Sequence, residues 1–600
     1  MFAKALEKHP LKELLMEKPL QLFPTMDDRA AWNQVDGAEI IALAAKYRAQ
    51  PYPMRKATDF LAYVRNGSRK ADENPYFFRR RKLIAAALNC CITGTLDDLD
   101  DVVDGLWCIC EETSWVISAH NRNDIPGACR PEEYPLPNPD DPYVDLFSAQ
   151  TAMVLSLICT LMPRQLDNVT PMLRQRVQRE IRQRVLEPFM SHDEFSWMGI
   201  VRSKLNNWTP WIVSNVQVTA VLCMDDREAL AALMERSLLM DDRWLACVPE
   251  DGGCDEGAAY WNVAGGALLD TLDLLEKLTE GRMTFWHVPK IRNIMQFPVK
   301  AALDDGWFIN FADCDARPLV CGERLQFAGE KMQDSELVGV GVKMRGDYAA
   351  QLDDTPHLWR VLNMLFHPVC DVGNWQRSTK NAWMPDLQLR IREEEGFLLC
   401  CKGGHNDESH NHNDVGSFIL YVDGRPLIVD AGNMVYTAKT FSSERYTLWN
   451  TRSAYHNVPI IGGHEQKPGR EYAARNVQPT ENGMRLDMAG AYGSEAEVVS
   501  AKRHVSVRDG ALHLRDELTL KQPQEVCWVF MLREKPTLDK SAAYFAETRM
   551  LFDPRMTVDL EEIEVTDPRM AGNYPGSLWR LTLTAEAADS HDLTFLVERN

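Results

Sequence analysis

The chain has 600 residues, 45% of them hydrophobic and 26% charged, the proportions of a folded globular protein rather than a disordered one. Its 87 acidic and 66 basic residues give a formal charge of −21, which argues against broad contact with nucleic acid or an anionic membrane surface. The length allows about four domains of ~150 residues, or two large ones.

Residues 1–20 mix lysines and glutamates and hold no apolar stretch of the kind a secretory signal needs. No run approaches the ~18 apolar residues of a membrane span. The 15 cysteines are scattered without a CxxC, so neither a disulfide framework nor a zinc ribbon is expected. Reduced thiols and a cytoplasmic location are the expectation.

Apolar residues then return at helical spacing through 59–65, 82–91, 146–161, 172–187, 227–240 and 267–278. In the last of these, Leu268, Leu272, Leu275 and Leu278 share one face. The basic run Arg79, Arg80, Arg81 and Lys82 is expected to be a solvated helix face. A further helical segment spans 357–366. Many helices in series without strands predict a helical bundle or an α/α toroid over residues 1–380.

From Leu387 onward the pattern changes to alternation. Residues 418–422, Asp423-Gly424 and 427–429 read as a hairpin. Val505, Val507, Asp509-Gly510, Leu512 and Leu514 read as another, with the turn dipeptide that favours positive φ. Trp579, Leu581 and Leu583 alternate near the end. Residues 381–600 are therefore expected to form an antiparallel β-sandwich.

The densest chemical signal is the polar stretch from Gly403 to Asp414. It packs His405, His410 and His412 into eight residues of a chain with only 14 histidines. His410 and His412 lie two apart. In an extended stretch they would share one face, where two imidazoles can converge on a metal or a substrate. Downstream, Asp430 ends an apolar strand and His456 precedes another. His412, Asp430 and His456 together would make a mixed nitrogen and oxygen site with room for water, which suits Zn²⁺.

The run Ser409-His410-Asn411-His412-Asn413-Asp414-Val415-Gly416-Ser417-Phe418 resembles the signature of heparinase II/III-type polysaccharide lyases. So do Tyr436-Thr437-Ala438-Lys439-Thr440-Phe441-Ser442, Arg445-Tyr446 and Tyr455-His456-Asn457. In the helical half, Asn206-Asn207-Trp208-Thr209-Pro210-Trp211, the block from Asp251 to Trp261 and the stretch ending at Trp115 are similar to further blocks of that family. Some relatives carry a histidine beside the asparagine pair, where this chain has Trp208.

The resemblance implies an N-terminal (α/α) toroid followed by a C-terminal antiparallel β-sandwich. It also implies β-elimination at a uronic acid within an acidic oligosaccharide or polysaccharide, of glycosaminoglycan or alginate type. His410 and Tyr260 would be the base and acid, and Asn206 or Asn207 would hold the uronate carboxylate. His412, Asp430 and His456 would hold one structural Zn²⁺. Trp115, Trp208, Trp211, Glu256, Tyr436, Tyr446 and His405 are the candidate substrate contacts. No nucleic-acid or membrane partner is expected, and a homodimer is left open.

Two other classes compete. An α/α-toroid glycoside hydrolase needs two carboxylates facing across the glycosidic bond, and the adjacent Asp255 and Glu256 do not converge easily. A non-catalytic uronide-binding protein would need only stacking platforms. Formation of an unsaturated uronate separates the lyase from both.

Overall fold

The computed structural model describes residues 1–16, 20–121, 134–303, 305–346, 348–354 and 356–600, with residues 353 and 354 as backbone only. The chain divides into two compact units. One comprises Met1–Val248, Asn262–Met295 and Cys321–Trp375. The other comprises Pro249–Trp261, Gln296–Val320 and Gln376–Asn600. Two stretches from within the first 380 residues thus pack with the C-terminal unit.

The first unit is helical. Its main helices include α1 (Lys70–Thr93), α2 (Leu146–Leu161), α3 (Trp208–Cys223), α4 (Arg227–Cys247), α5 (Gly265–Leu278), α6 (Gly322–Met332) and α7 (Leu358–Phe366). Every side chain of α3 from Thr209 to Ala220 is buried, as expected of a helix surrounded by others. It packs on α2, α4 and α5. The ends are set by local chemistry. Asp145 and Asp226 accept hydrogen bonds from the first free N–H groups of α2 and α4, and Gly94 closes α1 in the left-handed conformation.

The predicted segments coincide with helices, apart from His357, which caps the helix Leu358–Phe366, and one interruption. Residues 172–187 cover the helix Pro171–Ile181, a π turn Arg182–Leu186 and the start of Glu187–Ser191. Pro188 has no N–H to continue the ladder, which accounts for the break.

The run Arg79–Lys82 departs from expectation. Arg79, Arg80 and Lys82 are buried, not solvated. Arg80 donates to both oxygens of Glu112 at 2.9 and 2.8 Å, Arg79 reaches the same carboxylate at 3.1 Å, and Lys82 pairs with Asp101 at 2.9 Å. The counter-charges sit on a neighbouring helix and the turn after it, so a run that looks like surface becomes an internal ion-pair network.

The second unit is an antiparallel sheet-rich domain. Fifteen strands form one continuous hydrogen-bonded network, beside a two-stranded ribbon of His405–Asn406 with Gly469–Ala473. The strands used below are β1 (Leu389–Glu394), β2 (Phe397–Lys402), β3 (Phe418–Val422), β4 (Arg425–Ile428), β5 (Pro459–Ile461), β6 (Val498–Arg508), β7 (Ala511–Leu532) and β8 (Ser577–Arg599). The two long strands β7 and β8 pair with each other and form its spine.

Alternate residues of β7 are buried from Ala511 to Leu520. The polar Lys521-Gln522-Pro523-Gln524-Glu525 then breaks this alternation, and the register with β8 shifts between Thr519 and Gln524. Proline cannot donate to the ladder, which accounts for the irregular pairing there. Phe397, Phe418, Leu514, Trp528 and Phe595, from strands far apart along the sheet, meet in a single core.

Both predicted hairpins are present, with Asp509 and Gly510 at φ +53° and +65° and Asp423 and Gly424 at +49° and +77°. A third, at Glu395-Gly396 between β1 and β2, uses the same left-handed pair at +47° and +81°.

Candidate functional site

Loop 403–414 connects β2 to β3 and is anchored from beneath. Lys402, the last residue of β2, is buried and donates to Glu408 at 2.9 Å and to Asp414 at 2.8 Å, so one ammonium ties two points of the loop. Burial opposes the charged lysine, but the two carboxylates outweigh it and raise its pKa. At the loop's apex His410 has φ +56°. A left-handed conformation in a non-glycine residue costs on the order of 1–3 kcal/mol and persists only where neighbours enforce it.

Arg445 is the enforcer. Its guanidinium donates to the carbonyls of His410 (2.8 Å), Asn411 (2.9 Å) and Thr440 (3.1 Å), and to Asp313 Oδ1 (2.8 Å). Because of the turn at His410, the stretch is not extended, and His410 and His412 do not share one face as the sequence suggested. They meet instead on the two oxygens of Asp313. His410 Nδ1 lies 2.9 Å from Oδ2 and His412 Nε2 lies 3.0 Å from Oδ1.

Asp313 comes from the stretch Gln296–Val320 and is 1% exposed. Burial alone would raise its pKa. Hydrogen bonds from His410 and His412, with the charges of His412 and Arg445, hold it well below the usual carboxylate range.

Two tyrosine hydroxyls close on the same imidazole. Tyr436 Oη is 3.2 Å and Tyr260 Oη 3.4 Å from His410 Nδ1, and the two hydroxyls are hydrogen-bonded to each other. Burial pushes both phenols up, Tyr260 most strongly, so both keep their protons at neutral pH. For His410, burial lowers the pKa. The Asp313 hydrogen bond and the Glu256 charge more than reverse that, and the net shift is upward. Glu256 Oε1 lies 3.8 Å from His410 Nε2, too far for a hydrogen bond. Phe441, 53% exposed, stands edge-on to His410 and Tyr436 with ring centroids 5.8 and 5.0 Å away.

Below this cluster, His412, Asp430 and His456 are fully buried and offer ligand atoms within 4.8 Å of one another, a group that could hold a metal ion. Asp430 follows β4, and its Oδ1 accepts from Gly432 N at 2.8 Å. Gly432 has φ +66°, and a Cβ there would meet the Cys314 carbonyl at 2.7 Å. His456 is set by its neighbour Asn457, whose amide bridges Phe418 O (2.7 Å), Val429 O (3.0 Å) and Met531 N (2.7 Å). His412 Nδ1 and His456 Nε2 are buried without a protein partner. Two orphaned imidazole nitrogens beside a carboxylate are what a metal site leaves when its ion is removed, so these residues fit one.

The other candidates have different surroundings. His405 pairs with Arg470 and accepts from Asp407 N at 3.1 Å. Tyr446 Oη accepts from the Asn411 amide at 3.1 Å. Asp255 is occupied at the base of the loop, accepting from Ser409 N at 3.0 Å.

In the helical unit, Asn206 is exposed and its Oδ1 accepts from Trp208 N (3.2 Å) at the start of α3, while Asn207 is buried. Trp208 is partly exposed, its ring 4.6 Å from that of His120. Trp115 and Trp211, also expected as substrate contacts, are buried. At 1% and 2% exposure neither has an open face. Trp115 donates to Ile109 O at 2.9 Å, and Trp211 packs on His357 and Arg360.

Comparison with known proteins gives the fold a context. Residues 377–589 match the family model described as Heparinase II/III-like, C-terminal. No curated protein matches the chain. Among solved structures, a heparinase III is 13% identical with a TM-score of 0.58, over 96% of this chain and 93% of that one. Heparan sulfate lyase HepC from Pedobacter heparinus is 14% identical with a TM-score of 0.55, over 100% of this chain and 87% of the other. The chain therefore shares the fold of these two proteins along nearly its whole length.

Proposed function

We propose that the protein is a polysaccharide lyase that cleaves a uronic-acid-containing glycan by β-elimination, with a glycosaminoglycan-type oligosaccharide as substrate. The observation that carries this reading is the convergence of Tyr260 and Tyr436 on the imidazole of His410, with the buried carboxylate of Asp313 behind it. Hydrolysis has less support, because Asp255 is engaged by Ser409 N and the adjacent Glu256 faces the imidazole rather than a second carboxylate.

In the proposed reaction the imidazole of His410 takes the proton from C5 of the uronate. The electron pair forms the C4=C5 double bond as the C4–O4 bond breaks. Tyr260, a phenol kept protonated by burial, gives its proton to the departing O4 oxygen, and Tyr436 can return one to it. The amide of Asn206 or Asn207 donates to the uronate carboxylate as charge builds there. His412, Asp430 and His456 would hold a metal, Zn²⁺ by donor type, which would supply a fixed positive charge tying the loop to two other segments. These residues hold the loop that carries His410.

Incubation with a panel of uronides should yield a product absorbing in the unsaturated-uronate band, with glycosaminoglycan fragments the best substrates. Saccharide cleavage without that absorbance would make the protein a hydrolase, and binding without cleavage a lectin-like protein. Metal analysis of protein purified without chelator should find about one equivalent, and His456→Ala should abolish it.

A further inference from the structure

We infer that Asp313 is a positioning residue shared by the metal group and the base, one oxygen setting the tautomer of His412 and the other that of His410. The inference rests on the lyase reading for its kinetic consequence only. Its structural content is independent of the substrate.

A carboxylate accepts hydrogen bonds and donates none, so each imidazole nitrogen facing Asp313 must carry the proton. At His412 this places N–H on Nε2, 3.0 Å from Oδ1, and leaves Nδ1 as a lone pair. That Nδ1 is the buried nitrogen without a protein partner. At His410 it places N–H on Nδ1, 2.9 Å from Oδ2, and leaves the lone pair on Nε2. Nε2 then becomes the atom that accepts the C5 proton, since Glu256 lies beyond hydrogen-bond distance at 3.8 Å. With Nδ1 committed as a donor to Asp313, the nearby hydroxyls of Tyr260 and Tyr436 have no lone pair there to accept their protons, which remain available to the leaving oxygen.

The carboxylate is itself fixed. Arg445 donates to Oδ1 at 2.8 Å, and the Asp313 carbonyl accepts from Asn433 Nδ2 at 3.2 Å. Its neighbour Ala312 is held at φ +62°, a conformation rare in a residue with a side chain, and this local strain sits where the aspartate must be aimed. Arg445 also clamps the His410 carbonyl. One guanidinium and one carboxylate therefore hold both imidazoles in register. Carboxylates behind metal-binding histidines typically change metal affinity or activity by about 10–100-fold when removed. Here a single carboxylate should move both quantities together.

The test uses the full-length protein loaded with Zn²⁺ and labelled with ¹⁵N-histidine. In the wild type, imidazole nitrogen shifts should show His410 protonated on Nδ1 and His412 protonated on Nε2. The opposite tautomer at either residue overturns the inference without any variant. In Asp313→Asn, an amide presents one acceptor and one donor, so it cannot serve both rings as the carboxylate does. Zn²⁺ affinity should fall about 10–100-fold, and kcat by a similar factor at saturating Zn²⁺, with KM little changed. Loss of only one of the two, or of neither, overturns the shared role. Should Asp313→Asn fail to fold, Asp313→Glu keeps the charge but displaces it by one methylene, and the same paired losses are expected. If the wild type cleaves no uronide, the lyase reading fails. The tautomers and the Zn²⁺ affinities then still decide the place of Asp313.

Discussion

Two buried carboxylates, each held by several hydrogen-bond donors, sit in different units of this protein, and their surroundings differ. Glu112 in the helical unit accepts from Arg79 and Arg80, with Arg55 at 3.6 Å, and the charges of these arginines hold its pKa down against burial. Among the described residues, no buried side-chain atom of Glu112, Arg55, Arg79 or Arg80 lacks a partner, and none of the four has a positive φ. Asp313 is held likewise, by His410, His412 and Arg445. Around it, however, lie left-handed backbone at Ala312 and His410, two orphaned imidazole nitrogens and an exposed aromatic ring. Buried charge alone therefore does not mark a working site. Charge together with strain and unmet ligand capacity is what singles out the candidate site.

The contrast can be broken most forcefully at His410. His410→Ala and Tyr260→Phe should each lower kcat about 10²–10⁴-fold, the range for loss of a general acid or base, while the unfolding midpoint stays near that of the wild type. Near-normal turnover in either variant would remove that residue from the chemistry.

The mirror experiment is Glu112→Ala. It leaves buried arginines without their counter-charge and should cost about 3–5 kcal/mol of stability in denaturant unfolding, with kcat per folded molecule retained. If this variant instead stays stable and loses activity, the division between structural and functional clusters is wrong.

A third measurement asks whether the helical unit contributes chemistry through amides rather than ions. Asn206→Ala or Asn207→Ala should depress kcat about 10²–10³-fold on the free uronate, and less on its methyl ester, with KM moving little. If neither variant loses more than a few-fold, the carboxylate is held elsewhere.

The smallest effect is expected at Glu323, a buried carboxyl on α6 beside Arg324. Burial is the largest influence on it, only partly offset by Arg324 and Arg345, and its pKa rises from 4.5 to about 7. A carboxyl raised on folding favours the native state while protonated. Its contribution is complete below about pH 4.5 and fades as the pH climbs through about 7. Glu323→Gln should therefore flatten the stability profile between pH 5 and 8, by on the order of 1–3 kcal/mol at the alkaline end. An unchanged slope would show that Glu323 is compensated in the folded state.

Parts of this arrangement were legible in the residue order. The turn dipeptides Asp423-Gly424 and Asp509-Gly510 announce their hairpins because both residues tolerate positive φ. Glu395-Gly396 makes the same turn with a residue that seldom adopts it, so it passes unread. His412, Asp430 and His456 stand out by donor chemistry and family likeness.

Asp313 does not, because it lies 97 residues from His410 in a stretch with no periodicity to place it. The signal available was an aspartate embedded in Asn310-Phe311-Ala312-Asp313-Cys314, a charge among small and apolar neighbours. The basic run Arg79–Lys82 was misleading for the converse reason. Its partners Glu112 and Asp101 belong to a separate stretch of chain, and burial that depends on tertiary contact leaves no local trace.

Tyr260 and Asp313 reside in the two short stretches, Pro249–Trp261 and Gln296–Val320, that pack with the β unit although each is flanked in sequence by helices of the other unit. This interleaving constrains modular inheritance. A gene fragment encoding 381–600 would carry His410, His412, Asp430 and His456 to a new host protein, yet leave behind the proposed proton donor and the carboxylate that orients both imidazoles. Recombination at that junction would transmit the candidate metal ligands without the proposed acid or its positioning carboxylate.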